Sequence, residues 1–111
     1  MPIRRGDVVA VATSGDYGKP RPAVVVQTDA LPESHASVVI CQMTSELIEA
    51  RHIRVDIEPS AATGLRVRSQ IMVDKPVTIR RARIGRHIGR LGAADMSRLN
   101  VALAFVMGLA D

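Results

Sequence analysis

The chain has 111 residues, a formal net charge of +4 and 47% apolar residues. This length favours one globular domain over residues 1–111. Cys41 is the only cysteine, which excludes an internal disulfide and a multi-cysteine metal site. No apolar run reaches the roughly 18 residues of a membrane span, and no secretory leader opens the sequence, so we expect a cytoplasmic protein.

Short runs rich in Val and Ile, separated by turn-forming residues, predict β-strands along most of the chain. The run at 22–28 is almost continuously apolar, as in a strand buried on both faces. The run at 53–57 alternates as a half-exposed strand does. Cys41 lies inside an apolar run, where we expect a buried structural residue. The predicted strands cover 8–12, 22–28, 37–43, 53–57, 65–73, 77–80 and 87–91, and 59–64 is a predicted turn.

The periodicity changes at the end of the sequence. From Ala93 to Leu109, apolar residues recur at three- and four-residue spacings, which predicts an amphipathic helix. Gly92 precedes this helix, and Asp95 near its start suits the positive end of the helix dipole. Several short strands followed by one helix predict a mostly-β (α+β) fold, a small SH3-like β-barrel with a C-terminal helix packed on it.

Basic residues are concentrated between Pro76 and Arg98, where the chain has six arginines and a single acid, Asp95. Such a stretch can face phosphates or an acidic protein partner. Thirteen of the 15 basic residues are arginines, however, and a general preference for Arg over Lys explains the stretch equally well. Charge alone therefore leaves nucleic-acid binding open.

Common catalytic motifs are absent from the sequence. It contains no phosphate-binding loop of the nucleotide hydrolases, no dinucleotide fingerprint and no His-Glu-x-x-His zinc motif. His35, His52 and His87 are far apart, and we expect each to be exposed or structural. We therefore predict neither a metal nor a cofactor.

Several short segments resemble, in order, the MazF/PemK toxins of type II toxin–antitoxin systems. Arg5-Gly6-Asp7-Val8-Val9 is similar to the family's opening strand, and Arg21-Pro22-Ala23-Val24 to its Arg-Pro strand. Met43-Thr44-Ser45 resembles the polar end of its third strand, and the segment from Ser69 to Asp74 its S-x-x-x-x-D strand. The segment from Ile84 to Leu91, together with the final helix, resembles the C-terminal part of the family's sequences. Each motif is weak alone, but together they cover nearly the whole chain.

The resemblance implies a metal-independent, sequence-specific endoribonuclease, or mRNA interferase, that cuts single-stranded RNA with the substrate's own 2′-hydroxyl as nucleophile. Such an enzyme must stabilise a negative phosphorane and move two protons. Carried over by position, the catalytic residues are Arg21, Thr44 and Asp74. Arg21 would clamp the scissile phosphate with its planar fork, and Thr44 would orient that phosphate. The prolines on either side of Arg21 favour extended backbone there.

One departure from the family concerns Asp74. The PemK/Kid branch has an arginine two residues before this acid, which is implicated there in proton transfer, and here that position is Met72. The identity of the general acid is therefore open, with His52, Arg66 and Arg68 as other candidates.

The predicted RNA-binding residues surround the catalytic ones, and they are Asp16, Tyr17, Lys19, Ser45, Arg66, Arg68 and Lys75. The first three belong to a loop that covers the RNA site in this family. Single-stranded RNA is commonly held by bases stacked on aromatic side chains, and Tyr17 is the only aromatic residue in a suitable position. The cleavage sequence does not follow from these residues.

The resemblance also implies a homodimer and a cognate antitoxin whose disordered acidic tail blocks the RNA channel. The basic stretch from Arg80 to Arg98 would receive that tail by coupled folding and binding. Two alternatives stay open: a non-catalytic gyrase poison of the CcdB type, and a degenerate toxin that only binds RNA or the antitoxin. Gyrase poisons use aromatic residues at the end of the last helix, and residues 107–111 contain none.

Overall fold

The computed structural model describes residues 2–12 and 19–110, and in those ranges it contains six strands and one α-helix. The strands are β1 (Asp7–Val11), β2 (Arg21–Val25), β3 (Ser37–Thr44), β4 (Arg54–Ile57), β5 (Ser69–Arg80) and β6 (Ile84–Arg90). A short 3-10 turn (Arg81–Arg83) joins β5 to β6, and the helix α1 spans Ala93–Val106. The predicted mostly-β fold with a C-terminal helix is confirmed.

The strands form one antiparallel sheet in the order β4-β5-β3-β2-β1-β6. The last strand returns to pair with the first, and its end also reaches the segment between β4 and β5. There the amide of Arg90 donates a hydrogen bond of 2.9 Å to the carbonyl oxygen of Ala62. The sheet therefore bends back on itself, in agreement with the predicted barrel-like architecture.

Apolar side chains pack on both faces of this sheet. One cluster includes Val8 and Cys41 and reaches Leu99 of α1. The other includes Val9 and Val11 and lies on the opposite face, because successive side chains of a strand point to opposite sides. Burial on both faces explains the nearly continuous apolar sequence of β1 and β2. Cys41 is fully buried, as predicted.

The prediction of two separate strands at 65–73 and 77–80 was wrong. A single strand, β5, runs through Pro76, and residues 65–68 precede it. Proline interrupts a strand's hydrogen bonding unless it lies at an edge or a bulge. Pro76 lies opposite Cys41, beside the irregularity between Cys41 and Met43 where the β3–β5 register shifts, and this bulge accommodates it.

Three element ends also differ from the prediction by three residues. β2 ends at Val25 rather than at residue 28. β6 begins at Ile84 rather than at 87, and α1 ends at Val106 rather than at Leu109. Gly108 has a φ of +74°. This left-handed conformation is typical of the glycine that follows a helix.

Candidate functional site

Arg21 and Thr44 lie on neighbouring strands at the same end of the sheet. β2 and β3 are antiparallel, with Ala23 opposite Gln42. Continuing this register by two residues places Arg21 opposite Thr44. Directly opposite residues of an antiparallel pair point to the same face, with Cβ atoms about 5 Å apart. The fold therefore brings together two of the three residues predicted to be catalytic.

These two residues line a groove of about 330 Å³ at the strand ends, which we call the arginine groove. Its walls come from the start of β2, the end of β3, the segment before β5, and β6. The polar and charged residues that line it are Arg21, Thr44, Ser45, Arg66, Ser69 and Arg86. Met43, Leu65 and Ile88 supply apolar wall.

The arginine groove is strongly cationic. Arg21, Arg66 and Arg86 are exposed, and no described residue of the lining is acidic. A guanidinium presents a planar fork of donors that matches two oxygens of a phosphate. The groove can therefore hold a phosphodiester and stabilise additional negative charge on it.

The hydroxyl of Thr44 is oriented by the loop that follows it. Its Oγ1 atom accepts a hydrogen bond of 3.0 Å from the backbone amide of Glu46. A hydroxyl can accept two hydrogen bonds and donate one, so this contact leaves its proton for donation. Thr44 can thus act as a hydrogen-bond donor at the wall of the groove.

Asp74 and Lys75 do not line the arginine groove. They pair with each other, with 3.1 Å between Asp74 Oδ2 and Lys75 Nζ. Asp74 belongs to the irregular part of β5 near Cys41, where burial and then the charge of Asp74 raise the pKa of the Cys41 thiol from 9.0 to about 11. The structure therefore does not group Asp74 with Arg21 and Thr44.

Arg68 is also placed elsewhere. It forms ion pairs with Asp56 at 2.7 Å and with Glu58 at 3.2 Å. It lines a neighbouring groove of about 980 Å³ beside the loop 45–50. His52 lines that second groove and stacks on Phe105, with 4.9 Å between the ring centroids.

Of the predicted loop residues, Asp16 and Tyr17 lie outside the described residues. Lys19 is exposed and directly precedes Pro20, which lines the arginine groove. Lys19 is therefore close to the groove along the chain.

Sequence reasoning did not select Arg86. It was one of six arginines in the basic stretch, and nothing in that stretch distinguishes it. Its position follows from the pairing of β1 with β6, which brings Arg86 close to Ala10 and the start of β2. Four other arginines of the stretch make hydrogen bonds within the chain, namely Arg81, Arg83, Arg90 and Arg98.

In the described ranges, no group of three or more His, Cys, Asp or Glu side chains could hold a metal ion. Over the same residues, no helix has the length and apolar character needed to cross a membrane.

A family model described as PemK-like, MazF-like toxin of type II toxin–antitoxin system matches residues 4–107. A probable endoribonuclease MazF of Mycolicibacterium smegmatis is 39% identical over 109 residues, covering 97% of this chain and 99% of that protein.

Two of the solved structures that share the fold are mycobacterial. A mycobacterial endoribonuclease in complex with its cognate antitoxin has a TM-score of 0.84 at 23% identity, with 99% of each chain covered. The Mycobacterium tuberculosis toxin MazF-mt6 has a TM-score of 0.81 at 21% identity, covering 95% of this chain and 99% of that chain.

Proposed function

This chain belongs to the PemK-like, MazF-like toxin family of type II toxin–antitoxin systems, and from that premise we propose that it is an endoribonuclease whose active site is the arginine groove. Its substrate is single-stranded RNA, and the reaction needs no metal. The observation that carries the proposal is the pairing of Arg21 with Thr44 in a groove whose described lining has three arginines and no acid.

Phosphate chemistry fits these groups. The 2′-hydroxyl of a ribose gives up its proton to water, and its oxygen forms a bond to the adjacent phosphorus while the bond from phosphorus to the 5′-oxygen breaks. The leaving 5′-oxygen takes up a proton from water. The products are a 2′,3′-cyclic phosphate and a free 5′-hydroxyl. Negative charge accumulates on the phosphoryl oxygens, and donors already aimed at them stabilise it. Arg21 supplies the charge and the bidentate geometry, while the Thr44 hydroxyl donates a hydrogen bond to a phosphoryl oxygen.

The other polar residues of the groove bind the nucleotides on either side of the scissile phosphate. Ser45, Arg66 and Arg86 line the same groove and bind the phosphates on either side of the cut. Lys19, Asp16 and Tyr17 remain predicted contacts from the neighbouring loop. Asp74 and Arg68 are left out of the catalytic set, because they are paired with other residues and do not line the groove.

The experiment that tests the function is incubation of the purified protein with a long single-stranded RNA in EDTA, followed by mapping of the cut ends. We expect discrete cuts with 2′,3′-cyclic phosphate ends, and a single 2′-deoxy substitution at a mapped site should abolish that cut. Arg21→Ala should lower cleavage about 100-fold or more, in line with loss of a charge-stabilising donor, while Arg80→Ala, outside the groove, should not. Intact RNA would favour a degenerate or non-catalytic toxin.

We further propose that the toxin is a homodimer, formed through exposed apolar residues in the second half of α1 and just after it, which we call the C-terminal patch. Val101, Phe105, Met107 and Leu109 are exposed by 72%, 44%, 62% and 82%. An apolar surface of this kind on a soluble protein marks an interaction site. Two-fold pairing would let each copy cover the other's patch.

The second protein partner we propose is an antitoxin. The chain belongs to the toxin half of such systems, and an acidic segment of an antitoxin would be attracted to the same three arginines that bind RNA phosphates. Occupation of the arginine groove by carboxylates would exclude RNA from it. In this proposal, the antitoxin inhibits through contacts with the arginine groove rather than with the whole stretch from Arg80 to Arg98.

A further inference from the structure

Gln70 is a buried amide next to the proposed catalytic threonine. It lies on β5, directly opposite Thr44 on β3 and directly opposite Asp56 on β4. All three side chains therefore share one face of the sheet. Only 5% of Gln70 is exposed, and burial of a polar side chain is costly unless its hydrogen bonds are made.

The amide of Gln70 makes all four hydrogen bonds that it can make. Its Oε1 atom accepts from the Ile48 amide at 3.2 Å and from Arg54 Nη1 at 3.0 Å. Its Nε2 atom donates to the Ile48 carbonyl oxygen at 3.0 Å and to Asp56 Oδ1 at 2.7 Å. A primary amide has two donors and two acceptor sites, so the side chain is fully satisfied.

Its neighbours also fix which way the amide points. The Asp56 carboxylate can only accept, so it faces the NH₂ group, and the Arg54 guanidinium can only donate, so it faces the oxygen. The hydrogen bond from Gln70 is the main cause that lowers the pKa of Asp56, followed by the contact with Arg68. Asp56 therefore stays ionised near neutral pH and holds the amide in this orientation.

These bonds tie down the loop that orients Thr44. Residues 45–49 are exposed and lie outside the strands, so they have little packing of their own. Gln70 hydrogen-bonds to both the backbone amide and the carbonyl oxygen of Ile48. Arg54 Nη1, which bonds to Gln70, also donates a hydrogen bond of 3.2 Å to the Glu46 carbonyl oxygen. Glu46 in turn donates its amide to the Thr44 hydroxyl.

We infer that Gln70 is a positioning residue for RNA cleavage, which through the loop 45–50 holds the Thr44 hydroxyl in the direction needed to donate to the scissile phosphate. This inference rests on the proposed function. Gln70 acts through Thr44 and itself touches neither RNA nor the reacting atoms.

The test compares Gln70→Met with Gln27→Met. Gln27 is a matched control, because its amide also bonds to a backbone carbonyl and a backbone amide. These belong to Ser37 and Val39 on β3, far from Thr44 at the other end of that strand. For Gln70→Met we expect kcat to fall about tenfold or more while KM changes less than about threefold. Hydrogen exchange at the Glu46 and Ile48 amides should accelerate in this variant. Gln27→Met should leave kcat unchanged.

A double-mutant cycle separates positioning from general destabilisation. If Gln70 acts through Thr44, Gln70→Met should cost little further activity in a Thr44→Ala background. Multiplicative losses, or a kcat loss that only tracks the folded fraction, would overturn the inference and leave the proposed function intact. A wild-type protein that cuts no RNA would instead overturn the proposed function, and the inference with it.

Discussion

Asp7 and Arg90 join the first strand to the last through a hydrogen bond of 2.8 Å between Asp7 Oδ1 and Arg90 Nη1. Asp7 is buried, and its second oxygen accepts from the amide of Arg4 at 2.9 Å. Gly6 just before it has a φ of +93°, which favours glycine. The Gly-Asp pair near the start of the chain is therefore structural: it turns the backbone and closes the sheet.

Asp7→Ala should destabilise the fold by about 2–3 kcal/mol, because it removes charge-assisted hydrogen bonds from a buried carboxylate. Urea unfolding at neutral pH measures the change. Glu58→Ala is the control, since Glu58 pairs with Arg68 on the surface, where an ion pair contributes little. Equal losses in the two variants would contradict the structural role of Asp7.

Gly89 lies where β6 passes the segment between β4 and β5. A Cβ atom there would overlap the backbone carbonyl oxygens of Thr63 and Ala62. Gly89→Ala should therefore cost about 1–3 kcal/mol of stability, as other overpacked sites do. Gly85→Ala on the same strand should cost clearly less stability, because the atom nearest to an added Cβ there is the Ala10 carbonyl oxygen, at 3.3 Å. Thermal unfolding of both variants measures the difference. Similar losses of stability would contradict a close approach of Gly89 to the segment between β4 and β5.

The sequence predicted the parts of the fold that depend on local pattern. Strand and helix types followed from apolar spacing, and Arg21 and Thr44 followed from short motifs. The long strand β5 was missed because Pro76 suggests a break, and only the bulge opposite Cys41 explains why it is tolerated. The positions of Arg86 and Gln70, and so the roles proposed for them, were missed because they depend on which strands are neighbours, and single-sequence patterns do not carry that information.

Arg86 is expected to bind a phosphate beside the scissile one. Arg86→Ala should weaken binding of a 2′-deoxy, uncleavable RNA about five- to tenfold at low salt, and the slope of log affinity against log salt should fall by about one. Arg83→Ala is the neighbouring control, because Arg83 bonds to Ala12 and does not line the groove. An unchanged salt slope in Arg86→Ala would remove Arg86 from the RNA site.

The proposed dimer depends on the C-terminal patch formed by the second half of α1 and the residues just after it. Phe105→Glu should shift the protein from dimer to monomer in sedimentation equilibrium, because a charge would be buried in the interface. Leu31→Glu serves as control: Leu31 is similarly exposed, at 41%, but lies in the loop between β2 and β3. A Phe105→Glu protein that remains dimeric would place the interface elsewhere.

Cys41 should make stability depend on alkaline pH. Burial, followed by the nearby Asp74, raises the pKa of its thiol from 9.0 to about 11. Below pH 9 the thiol is neutral in both the folded and the unfolded chain, so its contribution is fully present. Between pH 9 and 11 only the unfolded chain ionises, and stability should fall by about 2–3 kcal/mol, since each pKa unit corresponds to about 1.4 kcal/mol. Cys41→Ala has no thiol at this position and therefore lacks this pH dependence. In urea unfolding, the difference in the free energy of unfolding between wild type and Cys41→Ala should become smaller from pH 9 to pH 11. Parallel pH profiles would mean that the thiol ionises equally readily in the folded protein.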